Sequence, residues 1–106
     1  MWVFLNDSFL SIVAHQDKPG VLLVRARKAG DIKAVFPDAK TWVDEHADYP
    51  HRAEVPAENV AEAVAARVRA IGYPNFKDSV QKGRRHDAYM DVWSVMRRWG
   101  GRNQHP

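Results

Sequence analysis

Residues 56–71 read PAENVAEAVAARVRAI, and this stretch decides how the rest of the chain is interpreted. Four β-branched apolar residues recur in it at helical spacing: Val60, Val64, Val68 and Ile71. Such a stripe is typical of an amphipathic helix with one face on a core. Pro56 suits the first turn of a helix and Gly72 suits the position after its end. The sequence therefore predicts a helix between them.

Outward from this helix, the preceding residues contain five strand-like segments, each rich in β-branched or aromatic residues. These segments are residues 2–5, 9–15, 21–27, 41–43 and 49–55. A short helix is expected after Gly30 and Asp31, with Pro37 as its stop. On the C-terminal side, we expect a helical turn at 76–80 and a longer helix at about 84–99.

The order β-β-β-α-β-β-α-α mixes strands and helices without regular alternation, which predicts an α+β fold. We expect an antiparallel sheet of about five strands packed on helices. A ferredoxin-like core, extended by an N-terminal hairpin and an extra C-terminal helix, fits this order best. The predicted organisation is a single α+β domain over residues 1–100, followed by a flexible tail over residues 101–106.

Composition excludes several classes of function. The chain has 106 residues, of which 45% are hydrophobic, and it contains no cysteine. Disulfides, thiol catalysis and cysteine-bound zinc are thereby excluded, and an intracellular protein is favoured. No apolar run approaches the roughly 20 residues that span a membrane, and the N-terminus lacks the basic region of a signal peptide. A cytoplasmic location without a membrane partner is therefore predicted.

Positive charge is concentrated in the C-terminal part of the chain. Residues 76–106 contain seven basic and three acidic residues, a net charge of +4, whereas residues 1–75 contain nine basic and ten acidic residues, a net charge of −1. This asymmetry is compatible with an anionic partner, but a solvated basic helix explains it equally well.

The last helix and its flanks carry the densest set of aromatic and arginine side chains, a composition typical of interface hot spots. We predict that the following residues bind a partner: Arg84, Arg85, His86, Tyr89, Trp93, Arg97, Arg98 and Trp99. Arg25 and Arg27 of the third strand are further candidates, for an anionic ligand. The apolar face of the helix is expected to comprise Tyr89, Val92, Trp93 and Met96.

His86, Asp87 and Tyr89 are the candidates for acid–base chemistry, because imidazole titrates near neutral pH and a carboxylate can orient it. Arg84 and Arg85 could hold a phosphate bidentately. Consecutive residues on a helix point about 100° apart, so His86 and Asp87 are not expected to form a dyad by themselves. A structural role is favoured, with Asp87 stabilising the helix N-terminus.

The sheet face away from the helices is a second candidate surface. The predicted inward residues are Leu10, Ile12, Ala14, Leu22, Val24 and Ala26, and the predicted outward residues are Phe9, Val13, His15, Leu23, Arg25 and Arg27. His51 is expected to join the outward set from the fifth strand. Basic and aromatic groups on an open sheet bind RNA in several known modules. A packed or self-associating surface is the alternative.

No metal and no cofactor are predicted. The five histidines lack a spacing such as HxH or HExxH, and no GxGxxG, P-loop or nucleophile elbow occurs. Of the four tryptophans, two or three are expected to fill the core. Trp99, beside Arg97 and Arg98, is the one expected to be exposed.

Five stretches together are similar to a known group of proteins: residues 1–4, 23–27, 73–77, 85–89 and 92–96. They resemble a group of small uncharacterised bacterial proteins that also occur on phage and plasmid sequences. The group has no established activity, so the resemblance assigns no catalytic residues. It implies a compact single domain of bacterial or mobile-element origin.

The sequence thus favours a non-enzymatic binding module that engages a protein partner or itself through the last helix. One alternative is a nucleic-acid-binding protein that uses the basic C-terminal end with Arg25 and Arg27. Another is a small nuclease or toxin-type hydrolase with His86 or His51 as its acid–base residue. A phage-type inhibitor of a host defence complex is a further possibility implied by the resemblance.

Overall fold

The structure is a computed structural model that describes residues 1–101. Of the predicted tail at residues 101–106, only Gly101 is described, and it caps the last helix; the rest lies outside the described residues. The chain forms two compact units, of which the first is Met1–Gly72 and the second begins at Tyr73. The prediction of one domain over residues 1–100 stays a prediction.

The first unit is built on a five-stranded sheet in which all neighbouring strands are antiparallel. Its strands are β1 (Trp2–Phe4), β2 (Phe9–Ala14), β3 (Val21–Ala26), β4 (Thr41–Val43) and β5 (His51–Pro56). Two helices accompany them, α1 (Asp31–Val35) and α2 (Ala57–Arg69). The predicted α+β class and the five-stranded antiparallel sheet are confirmed.

The strands lie side by side in the order β1-β2-β3-β5-β4. The predicted N-terminal hairpin is therefore the β1–β2 pair, and β2 in turn lies beside β3. A ferredoxin-like core has a further strand after its second helix. Among residues 1–101 no strand follows α2. The ferredoxin-like description of the core is therefore not confirmed and stays a prediction.

One face of the sheet and the two helices enclose the hydrophobic core. Alternate residues of the central strands supply most of it: Leu10, Ile12, Val24, Ala26, Ala53 and Val55. Ile32 and Phe36 come from α1 and the residue after it, and Val60 comes from α2. Each buried Val, Leu or Ile contributes about 1.5–3 kcal/mol relative to exposure. The core therefore fixes which face of every strand turns toward the helices, because side chains alternate along a strand.

The connection between β3 and α1 depends on two adjacent residues. Gly30 has a φ of 91°, in the left-handed region that favours glycine. Asp31 follows it, is only 4% exposed, and accepts a hydrogen bond at 3.0 Å from the backbone N–H of Phe9. This carboxylate thus joins the start of α1 to the start of β2.

Arg67 of α2 connects three segments of the first unit. Its guanidinium donates to both carboxylate oxygens of Asp7, at 2.9 and 3.1 Å, and to the carbonyl oxygen of Ala34 at 3.1 Å. Partial burial opposes ionisation of Asp7, but hydrogen bonds from Arg67 and Ser8 and the charge of Arg67 outweigh it. The pKa of the Asp7 carboxyl consequently lies below its ordinary value.

The second unit contains α3 (Phe76–Ser79) and α4 (Arg84–Gly100). Phe76 stacks on Tyr89 with ring centroids 5.8 Å apart and an interplanar angle of 19°. This stacking joins α3 to α4. The helix ends where Gly101 adopts a φ of 72°, the left-handed conformation common at helix C-termini. Within residues 1–101, no helix is long and apolar enough to cross a membrane.

The prediction that two or three tryptophans fill the core is wrong. Trp2, Trp42, Trp93 and Trp99 are 67%, 42%, 43% and 79% exposed. The core is filled by aliphatic residues and Phe36 instead. Trp2 and Trp42 lie on the edge strands β1 and β4, so the sheet covers them on fewer sides than it covers a central residue. The expectation that Trp99 is exposed is confirmed.

Candidate interaction surfaces

A continuous apolar surface on the last helix is the principal candidate site. We name it the α4 surface, and it consists of Val92, Val95, Met96 and Trp99. These residues are 39%, 51%, 53% and 79% exposed. Their spacing of i, i+3, i+4 and i+7 places them on one side of the helix. Monomeric proteins rarely expose a large contiguous apolar patch without a functional reason.

The apolar face that the sequence predicts for α4 is only partly buried. Tyr89 is 7% exposed, whereas Val92, Trp93 and Met96 are 39%, 43% and 53% exposed. Only the first of these four residues is therefore buried. Several apolar side chains of α4 are therefore exposed, and they lie in the last three turns of the helix.

Trp93 lies outside the α4 surface, and two cations contact its ring. The Nζ of Lys77 and the Cζ of Arg97 lie 4.2 and 5.5 Å from the ring centroid. Cation–π contacts of this kind contribute about 0.5–1 kcal/mol at exposed sites. All four of Trp93, Arg97, Arg98 and Trp99 are exposed, but the Trp93 ring already contacts two cations of its own unit.

The candidate acid–base residues at the start of α4 do not form a hydrogen-bonded pair. The Nδ1 of His86 lies 3.8 Å from Oδ1 of Asp87, which exceeds hydrogen-bond distance. The Asp87 side chain is 83% exposed, so it points into solvent. Arg85 donates a long hydrogen bond of 3.4 Å to the hydroxyl of Tyr89, while Arg84 is exposed. His86 and Asp87 thus lie within ion-pair distance, but they do not form the hydrogen-bonded dyad that acid–base chemistry would require.

A second candidate surface lies on the sheet face opposite α1 and α2. The pairing registers align one residue from every strand: Trp2, Ser11, Arg25, Arg52 and Trp42. We name this set the cross-sheet row. At about 4.8 Å between neighbouring strands, its ends are roughly 19 Å apart. A tryptophan thus lies at each end of a row with two arginines near its middle.

Tyr49 brings together the two candidate arginines, Arg25 of β3 and Arg27 directly after that strand. The Cζ atoms of Arg25 and Arg27 lie 4.8 and 4.4 Å from the centroid of its buried ring. Arg25 also donates to the hydroxyl of Ser11 at 2.7 Å, and Arg27 forms an ion pair with Asp48 at 3.2 Å. Internal contacts therefore hold both guanidinium groups, which leaves them less available to a ligand than exposed arginines.

The placement of His51 on the outward face is wrong. Its neighbours across the sheet are Ala26 and Val43, and it belongs to the same face of β5 as the core residues Ala53 and Val55. Because side chains alternate along a strand, the outward position falls to the next residue, Arg52 of the cross-sheet row. The histidines at 15 and 51 consequently lie on opposite faces of the sheet.

The His15 side chain forms hydrogen bonds that stabilise the turn after β2. Its Nδ1 accepts hydrogen bonds from the backbone N–H groups of Asp17 and Lys18 at 3.0 and 3.1 Å. Nδ1 therefore carries no proton, and the Nε2–H donates to Oε2 of Glu54 at 2.8 Å. Hydrogen bonds from Lys18 and His15 hold the pKa of Glu54 below its ordinary value. This arrangement joins the turn to β5.

Metal-binding geometry is absent from the described part of the chain: in residues 1–101 no three His, Cys, Asp or Glu side chains lie close enough to hold an ion. An open depression beside β4 is bordered by Phe36, Lys40, Trp42, Glu54 and Asn59. Its charged groups have opposite signs, so it shows no clear preference for a charged ligand.

Comparison with known proteins does not supply a function. No protein-family model, no curated protein and no solved structure matches this chain. The resemblance to small bacterial and mobile-element proteins stays a prediction. The α4 surface and the cross-sheet row are therefore the features of the molecule that bear on its function.

Proposed function

We propose that this chain is a cytoplasmic, non-enzymatic interaction module that binds a protein, either a different one or a second copy of itself, through the α4 surface. One observation carries the proposal: four apolar residues on one side of α4 are 39–79% exposed. Burial of apolar area is the dominant favourable term in most protein association. An exposed tryptophan beside arginine is the composition of a hot spot.

The energy available from this surface is sufficient for specific binding. Fully burying one Val, Leu, Ile or Met side chain contributes about 1.5–3 kcal/mol, and a tryptophan offers a larger area. Each residue of the α4 surface is already partly covered, so only a fraction of that energy is gained per residue. The sum still reaches the magnitude of a hot-spot cluster, and Arg98 supplies a charged rim next to Trp99.

The proposal is tested by site-specific photo-crosslinking in the native cells. A photoreactive amino acid replaces Val95 in one variant and Glu58, an exposed residue on α2, in the control variant. We expect an irradiation-dependent adduct with a protein from position 95 and none from position 58. Equal labelling from both positions, or no adduct from position 95, would show that the α4 surface is not an interface.

The cross-sheet row supports a second candidate function, the binding of single-stranded nucleic acid. Tryptophan rings can stack on bases while arginines hold the phosphates, and the row has an exposed tryptophan at each end. Its centre is less accessible, because Ser11 is 1% exposed and Arg25 and Arg52 are half-buried. The engagement of Arg25 by Tyr49 and Ser11 ranks this function below protein binding.

Fluorescence anisotropy with labelled single-stranded RNA and DNA, at low and moderate salt, tests the second candidate. Binding through phosphates releases counterions, so the affinity should fall steeply as salt rises. Arg52→Ala should weaken binding and reduce the salt slope by about one. Absence of binding at low salt, or an affinity that does not depend on salt, would exclude this function.

A further inference from the structure

We infer that the partner of α4 is the α4 of a second copy of the chain, paired in antiparallel orientation about a twofold axis. This inference rests on the proposed function and specifies which protein binds the α4 surface. Three features of the helix lead to it: the spacing of its exposed apolar residues, the sizes of those residues, and two charged residues beside them.

The first feature is a stripe suited to helix–helix pairing. Ala88, Val92, Val95 and Trp99 are all exposed, and we name them the α4 seam. Steps of four, three and four residues average about 3.7 and repeat the alternation of a and d positions in a coiled coil. At 100° per residue the four side chains lie within about 60° of one another. A straight partner helix could therefore contact all of them.

The second feature is that the sizes of the seam residues are complementary only when the helices run in opposite directions. An axis between residues 93 and 94 places Val92 opposite Val95 of the second copy, and Ala88 opposite Trp99 of the second copy. The smallest seam residue then accommodates the largest. A parallel pair would instead place the two Trp99 rings together and leave a gap between the two Ala88 methyl groups, which is poor packing.

The third feature is a pair of opposite charges on one flank of the seam. Asp91 and Arg98 are both exposed and lie two turns apart on the same side of the helix. Within residues 1–101 neither of them forms an ion pair. The antiparallel arrangement brings Asp91 of each copy next to Arg98 of the other. Because a twofold interface uses every contact twice, both charges on both copies gain a partner.

The size of the seam sets the expected strength. Four seam positions per helix, with Met96 on the other flank, give an interface at or below the lower limit of about 1,200 Å² for stable complexes. We therefore expect a reversible dimer with a dissociation constant in the micromolar range, about 1–100 μM. Dimerisation should depend on concentration and should be visible without any added ligand.

The test uses charge reversal in the full chain. Asp91→Arg gives each homodimer two contacts between positive groups, and Arg98→Asp gives each homodimer two contacts between negative groups. An equimolar mixture of the two variants restores both ion pairs, because Arg at position 91 of one chain meets Asp at position 98 of the other. Among the described residues 1–101 neither side chain forms an ion pair. Both variants should therefore fold like the wild type, as circular dichroism and thermal melting would verify.

Sedimentation velocity on nuclease-treated protein, from about 1 μM to about 1 mM, measures the outcome. We expect each single variant to dimerise at least 10-fold more weakly than the wild type, and the mixture to recover wild-type affinity within about threefold. Wild-type protein that stays monomeric throughout this range would overturn the inference. Variants that dimerise as well as the wild type, or a mixture that fails to recover, would also overturn antiparallel pairing.

The failure of this inference and the failure of the proposed function give different results. If the wild type stays monomeric but position 95 forms an adduct with another protein, self-pairing is wrong and the α4 surface is still an interface. If neither dimer nor adduct forms, both are wrong. An adduct of twice the chain mass supports both.

Discussion

Replacement of Trp99 by alanine should weaken association strongly while leaving the fold almost unchanged. Trp99 is 79% exposed, so about one-fifth of the residue is covered. A buried tryptophan hides up to about 250 Å², so the covered part is about 50 Å². At about 25 cal/mol per Å² this area is worth about 1 kcal/mol. Truncation of a core tryptophan would cost about 3–5 kcal/mol, which is clearly distinguishable.

The expected effect of Trp99→Ala on association is larger than its effect on stability. A hot-spot residue contributes at least about 2 kcal/mol to binding, which corresponds to a dissociation constant raised about 30-fold. Trp93→Ala is the matched control, because it changes the same residue type on the same helix outside the α4 surface. Trp93 is 43% exposed and contacts Lys77 and Arg97, so its loss should reduce stability more and association less.

Urea unfolding and sedimentation velocity on the two variants decide the question. The prediction is wrong if Trp99→Ala lowers the free energy of unfolding by about 3 kcal/mol or more, as truncation of a core tryptophan would. It is also wrong if both variants lose association equally. The first result would mean that Trp99 is a core residue in solution. The second would mean that association uses the basic and aromatic character of the helix rather than one defined side.

Three further predictions concern the first unit, and urea unfolding measures each. Asp31→Ala should cost about 1–3 kcal/mol of unfolding free energy, because it leaves the partly buried N–H of Phe9 without this acceptor. Asp31→Asn keeps an acceptor and should cost less, and equal costs would contradict this role. The pKa of Asp7 is lower in the folded state than in the unfolded state, so its contribution to stability is present above its ordinary pKa of 3.8 and is lost as pH falls through the folded value. Arg67→Ala should flatten the dependence of stability on pH below about 4, and an unchanged pH profile would contradict the ion pair. Tyr49→Ala removes a ring that is 7% exposed and should cost about 3–5 kcal/mol, whereas a cost below 1 kcal/mol would show that the ring is not packed.

The secondary structure could be predicted almost completely from the sequence, because each element carries its own local signal. Period-two apolar residues mark β2 and β3, and the stripe from Val60 marks α2. Gly30 and Gly101 adopt positive φ angles at a helix start and a helix end, as their positions suggest. Local chemistry settles such features, so they need no knowledge of tertiary contacts.

The cross-sheet row could not be predicted in full, because it depends on register between distant strands. The outward position of Arg25 was recognisable from alternation within β3, but Arg52 and Trp42 become its neighbours only through the β3–β5 and β5–β4 pairing. One signal was overlooked. Ala53 and Val55 are the apolar residues of β5, and alternation from them places His51 inward and Arg52 outward.

Burial of the tryptophans was mispredicted for a related reason. From composition alone, a large apolar side chain is expected to be buried in the core. Whether a core position can accept it depends on where its strand lies in the sheet, and Trp2 and Trp42 lie on edge strands. Burial along α4 is also hard to predict from the sequence. The number of its apolar residues predicts that one face is buried, but not how many of those residues are buried.

The two candidate surfaces differ in how strongly their binding should depend on salt, so one titration separates them. Nucleic-acid binding at the cross-sheet row would lose affinity steeply with salt, since every neutralised phosphate contributes to the slope. Association through the α4 seam involves mainly apolar burial and two equivalent ion pairs, so added salt should weaken it only slightly. Trp99→Ala should weaken the salt-tolerant association and leave nucleic-acid binding intact, while Arg52→Ala should weaken nucleic-acid binding and leave the association intact. If one variant removed both activities, the assignment of the two activities to separate surfaces would be wrong.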